Sequence, residues 1–112
     1  MSTARAEPAS DGQRVRRAGD CQAPTQNGIA ICEPAANAIV GSPFHVLALA
    51  KTGATWRFEL WDINSGTKLL TVRNSGYMSC SVSLGTGQHW LRFISRREDG
   101  YQVSADRYVN VQ

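Results

Sequence analysis

From Gly28 onward the apolar residues recur at a spacing near two rather than 3.6, and turn residues interrupt the chain about every ten positions. A period of two puts alternate side chains on opposite faces of an extended strand, so this spacing predicts many short antiparallel strands and no long helix. The clearest case is Thr55–Asp62, where Trp56, Phe58 and Leu60 alternate with Arg57, Glu59 and Trp61. The first three are expected in the core. Asn64-Ser65-Gly66 and Asn74-Ser75-Gly76 bracket the next strand, 68–73, because Asn and Gly tolerate positive φ. The strand 77–84 then places Met78, Cys80, Val82 and Leu84 on one face, and Gly85-Thr86-Gly87 leads into 88–95. There Leu91 and Phe93 point inward, and Trp90, Arg92 and Ile94 outward. The last strand, 101–111, carries Val103, Val109 and Val111.

Upstream lie short strands at 29–31 and 38–40 and a longer one at 44–50. The last is apolar on both faces, with Phe44, Val46, Ala48 and Ala50 on one and Leu47 and Leu49 on the other, as befits a strand covered on both sides or central to its sheet. Seven or eight strands in so short a body predict an all-β fold, a Greek-key β-sandwich. A small closed barrel of the OB type is the alternative. It is disfavoured because no strand is long enough to bend around a barrel and no helix pattern falls between strands.

The 112 residues allow one domain. A hydrophobic share of 42% with 19% charged residues excludes collagen, coiled coil and wholesale disorder. No apolar run approaches the roughly 20 residues that cross a bilayer as a helix, so no membrane insertion is expected. Residues 1–20 differ from the rest. Four arginines (Arg5, Arg14, Arg16, Arg17) stand against three acids, with Val15 the only aliphatic residue larger than Ala. Such a segment buries too little apolar surface to offset an ordering cost of roughly 1–2 kcal/mol per residue, so a disordered tail is expected, followed by one domain over 21–112. It also lacks the apolar stretch of a secretory signal. The net charge is only +3, and a nucleic-acid contact through the arginines is disfavoured.

Cys32-Glu33-Pro34-Ala35, then Ser42-Pro43, Phe58-Glu59-Leu60-Trp61, Leu69-Leu70-Thr71-Val72 and the run Val82 to His89 follow one another in an order that resembles bacterial immunoglobulin-like β-sandwich modules. In those modules a Cys-x-Pro-Ala segment precedes an early strand. A Leu-x-x-Gly-x-His turn, matched by Leu84, Gly87 and His89, joins strands E and F. The resemblance covers about residues 21–112. It implies an immunoglobulin-like sandwich of about seven strands and a secreted or cell-surface setting, and no reaction. The inter-sheet cysteine pair of antibody domains is absent.

Three cysteines allow one intramolecular disulfide. Closing the short loop between Cys21 and Cys32 would stabilise by roughly 3 kcal/mol in the chain-entropy model, and related modules often carry a cysteine just before the Cys-x-Pro-Ala one. Cys32–Cys80 and no disulfide are the alternatives, with Cys80 otherwise a core thiol.

The spacing of Cys and His matches no metal site, no phosphate loop appears, and no nucleophile motif accompanies His45 or His89. No cofactor and no catalytic residue are expected. His89 is expected to bond the adjacent turn, and His45 to face outward. One surface stands out. Strands 55–62 and 88–95 correspond to neighbouring strands of one sheet, which puts Trp61 and Trp90 outward at the same end, with Arg57, Glu59, Arg92 and Ile94 completing the face. Trp61, Trp90, Arg57, Arg92 and Ile94 are therefore the candidate surface for a protein partner, a second copy or a carbohydrate. The plain alternative is a cross-strand pair that stabilises the sheet, with Arg92 over Trp61.

Overall fold

Alternation at Phe58 and Leu60 is answered across the sheet by Leu91 and Phe93, and this pairing sets the sandwich. A computed structural model describes residues 22–53 and 56–112. The expected disordered tail, Met1 to Asp20, and Cys21 lie outside the described residues. Eight strands follow in order: β1 (Gly28–Glu33), β2 (Ala38–Val40), β3 (Phe44–Lys51), β4 (Arg57–Asp62), β5 (Thr67–Arg73), β6 (Tyr77–Val82), β7 (Gly87–Arg96) and β8 (Gln102–Val111). They form a three-stranded sheet, β1-β3-β6, and a five-stranded sheet, β2-β8-β7-β4-β5. Every pairing is antiparallel except β2 with β8.

The chain turns where positive φ is tolerated: Gly66 closes the β4–β5 turn at 67° and Asn74 the β5–β6 connection at 57°. Between the sheets, Val46, Ala48, Met78 and Val82 pack against Phe58, Leu60, Leu91, Phe93, Val109 and Val111. The rings of Phe58 and Phe93 meet with centroids 6.4 Å apart and tilted by 54°, a geometry aromatic quadrupoles favour. β3 is central to its sheet, and Leu47 is buried on its opposite face.

Two inward expectations change. Trp56 lies outside the core, 36% exposed, because it sits just before β4, beyond the end of the packed layer. Its backbone is fixed there: its N–H donates to the Arg96 carbonyl at 2.8 Å, and its carbonyl accepts from Asn74 at 2.9 Å. Arg57 covers its ring at 4.4 Å. Cys80 is half-buried at the margin of the core, since β6 is an edge strand covered on one side only. Burial pushes its thiol pKa up, so it is a poor nucleophile at neutral pH.

Inward from β8, Arg107 occupies a position whose alternates are Ala105 and Val109. Its Nη2 donates to the Ile31 carbonyl of β1 at 3.1 Å, so a guanidinium bridges the two sheets along one side of the sandwich. Phe93→Ala is expected to cost about 3–5 kcal/mol. Urea unfolding followed by tryptophan fluorescence would show the midpoint drop, and an unchanged midpoint would contradict this placement of the core.

Candidate functional surface on the five-stranded sheet

Because β4 and β7 pair as Trp61↔Arg92, Glu59↔Ile94 and Arg57↔Arg96, all five candidate residues share the outer face of this sheet. β8 adds Tyr108 opposite Trp90 and Asp106 opposite Arg92. β5 adds Lys68 opposite Trp61, next to a register shift at Leu60/Trp61, and Arg73 opposite Arg57. Both tryptophans are half-buried rather than fully exposed, because each is held by polar and cationic neighbours.

The first group is built on Glu59, which is only 2% exposed although it points away from the core. The Trp61 indole N–H donates to its Oε1 at 2.9 Å, and Arg96 Nε donates to the same oxygen at 3.0 Å. Arg57 Nη1 lies 3.6 Å and Lys68 Nζ 4.0 Å from Oε2. Lys68 also stands 6.0 Å from the Trp61 ring centre. Burial alone would raise the carboxyl pKa. The hydrogen bonds from Trp61 and Arg96, with the charges of Arg96 and Lys68, outweigh it and leave the group below its ordinary value.

The second group is built on Asp106. Arg92 binds it with two donors, Nε at 2.8 Å and Nη2 at 3.1 Å, and the Trp90 indole N–H donates to Oδ2 at 3.0 Å. The Arg92 bond is the main reason the Asp106 pKa is lowered. Trp90 stacks on Tyr108 with centroids 5.7 Å apart and planes 18° from parallel, and the Arg92 guanidinium lies 5.2 Å over the Trp90 ring. Trp61 and Trp90 thus occupy the same end of the face, but the ring partner of Trp90 is Tyr108. Arg92 covers Trp90 and not Trp61, because its fork is turned toward Asp106 on β8. Tyr108 and Asp106 were legible as outward by parity with Val103, Val109 and Val111; their link to Trp90 needed the β7–β8 register.

Outside this face, His89 behaves as expected. Its Nε2–H donates to the Gly85 carbonyl at 2.7 Å, and Nδ1 lies 3.0 Å from Asp62 Oδ2. His45 is exposed on the other sheet, between Glu33 at 2.8 Å and Ser79 at 3.0 Å. Two shallow grooves of about 460 and 490 Å³ open elsewhere, one beside Arg107 and one between Ala50–Gly53 and Asn74–Gly76. Among the described residues no three of His, Cys, Asp and Glu gather as a metal set. Cys80 is a free thiol, so the Cys32–Cys80 alternative is not formed. Cys32 does not stand free, and the Cys21 end of the other pairing lies outside the described residues.

No protein-family model and no curated protein sequence matches this chain. Solved structures do. The fibronectin(III)-like modules of CbhA from Clostridium thermocellum align with a TM-score of 0.63 at 16% identity, over 74% of this chain and 93% of theirs. CopC from Methylosinus trichosporium OB3b aligns at 0.52 and 14% identity, over 78% of this chain and 94% of its own. An engineered protein aligns at 0.60 and 17% identity, over 80% of this chain and 21% of its own. With the strand order above, these similarities define an immunoglobulin-like, fibronectin(III)-like β-sandwich.

The lowered Glu59 pKa carries a pH dependence of stability. With the folded pKa below the unfolded one, the unfolded chain binds the extra proton in the interval between them. Stability is therefore fully present above the unfolded value and lost as pH falls through the folded one. Glu59→Gln is expected to flatten this acid limb, measured as the slope of the melting temperature between pH 5 and pH 2, in round terms, against wild type. An unchanged slope would remove Glu59 from that role.

Proposed function

We propose that this chain is a non-catalytic immunoglobulin-like module that binds a protein partner through the outer face of its five-stranded sheet, in an extracellular or cell-surface setting. The observation that carries this reading is the group Trp90, Tyr108, Arg92 and Asp106, in which two aromatic rings and a guanidinium are locked in place before any partner arrives. Trp, Tyr and Arg dominate the energetics of protein interfaces, and rings held in advance lose little entropy on binding. Arg57, Lys68, Arg73, Arg92 and Arg96 outnumber Glu59 and Asp106 on this face, which favours an acidic partner surface. The setting follows from the modules the sequence resembles.

Carbohydrate binding is the second reading, since an indole can stack on a sugar ring. Against it, the Trp90 ring is already engaged by Tyr108 and Arg92, and both indole N–H groups are spent on Asp106 and Glu59. Nucleic acid is disfavoured.

The test compares wild type with Trp90→Ala, Arg92→Ala and a control, Tyr101→Ala, at the opposite end of β8. Proteins retained by the immobilised chain are expected to be retained by the control and lost from both face variants. Losing the cross-strand pair should cost only about 0.2–1 kcal/mol of folding stability, so lost retention would not reflect unfolding. Equal retention by all four proteins would refute the protein-binding reading. A shift in tryptophan fluorescence on titration with soluble polysaccharides, abolished in Trp61→Ala and Trp90→Ala, would support the carbohydrate one.

We also propose the Cys21–Cys32 link. Thiol titration of the denatured, unreduced chain is expected to give one thiol, that of Cys80, rising to three on reduction. Three thiols before reduction would show that the link is absent.

A further inference from the structure

The strand edges of the sandwich are not equally protected. β1 carries Glu33 and a register shift between Ile31 and Glu33, and Arg107 occupies its Ile31 carbonyl. β2 is only three residues long. β5 carries Lys68 and Arg73 and is irregular at its pairing with Trp61. The part of β8 that β2 leaves uncovered holds Asp106 and Arg107. Charge, irregularity and short length are the usual means of blunting an edge. β6, Tyr77–Val82 (YMSCSV), has none of them: no charge, no proline and an unbroken register with β3.

Which β6 groups face outward follows from one bond. Ala50 N–H donates to the Gly76 carbonyl at 2.7 Å, and these residues fall directly opposite when the β3–β6 register, which ends at Leu49↔Tyr77, is continued by one residue. They form a hydrogen-bonded pair, and in an antiparallel ladder such pairs alternate with non-bonded ones. Met78, Cys80 and Val82 therefore spend their backbone groups on β3, while those of Tyr77, Ser79 and Ser81 point away from it. The Tyr77 N–H is taken by Ser75 Oγ at 3.0 Å. Among the described residues, the N–H and C=O of Ser79 and Ser81 meet no partner and form an open row.

We propose that β6 is a self-association edge, where a second copy of this chain pairs antiparallel about a two-fold axis at Ser79. The edge is complementary to itself. A two-fold at Ser79 sets Ser79 against Ser79, which exchange both backbone bonds, and Tyr77 against Ser81, where the Ser81 N–H meets the Tyr77 carbonyl. It also sets Met78 against Cys80, apolar against apolar. With no charge on the strand, two copies do not repel, and two three-stranded sheets become one of six. This surface is separate from the Trp90 face and does not depend on its assignment.

Light scattering on the full chain over a wide concentration range is expected to show a species of twice the 12.2 kDa chain mass. Ser79→Pro removes an outward N–H and spares the backbone bonds to β3, losing besides only the exposed Ser79 Oγ–His45 side-chain bond, and is expected to give a monomer with unchanged far-ultraviolet circular dichroism. In a Cys80→Ser background, Ser79→Cys should oxidise to a covalent dimer. Directly opposed residues of a hydrogen-bonded pair have Cα atoms about 5.5 Å apart, within disulfide reach. Ser83→Cys, just past the strand, should not. A folded wild-type chain that stays monomeric throughout, or Ser79→Cys that cross-links no more than Ser83→Cys, would overturn the proposal.

Discussion

The structure depends on one register. When Phe58 and Leu60 on β4 meet Leu91 and Phe93 on β7 in the space between the sheets, period two leaves no choice for their neighbours. Glu59, Trp61, Trp90 and Arg92 must then face outward together. Slipping β7 by one residue would exchange the two sets, placing Arg92 among the phenylalanines. The apolar layer that stabilises the domain thus also assembles the polar and aromatic layer on its outside.

That outer layer is held by two carboxylates. Glu59 gathers Trp61, Arg96, Arg57 and Lys68; Asp106 gathers Arg92 and Trp90. Each acid orients an indole through its N–H and fixes an arginine beside it. A nearly solvent-free carboxylate on the outside of a sheet would be costly alone. Long side chains from β4, β5 and β7 cover it with their stems and satisfy it with their heads, which is why it can sit there.

Much of this was legible in sequence. Strand positions followed from alternation and from the paired Asn-Ser-Gly turns. The outward placement of Trp61 and Trp90 followed from parity alone. What escaped was decided between strands. Tyr108 became the partner of Trp90 because β8, rather than β4, supplies the residue directly opposite. Trp56 had the parity of a core residue but lies beyond the strand end, where parity no longer implies burial. Arg107 occupies an inward position because it sits at the side of the sandwich, where a long side chain reaches the carbonyl of β1. Alternation identifies faces; it does not say where a face runs out.

The place of β8 has a consequence for the order in which the fold is completed. Val109 and Val111 are buried, and residues 109–111 of β8 pair on both sides, with β7 and with β2. The β2 partner lies about seventy positions earlier in the chain. During synthesis from the N-terminus, β1 through β7 are therefore made before the segment that seals their core. Such distant pairing makes for slow closure, and the sandwich exposes its β7 edge until β8 pairs with it.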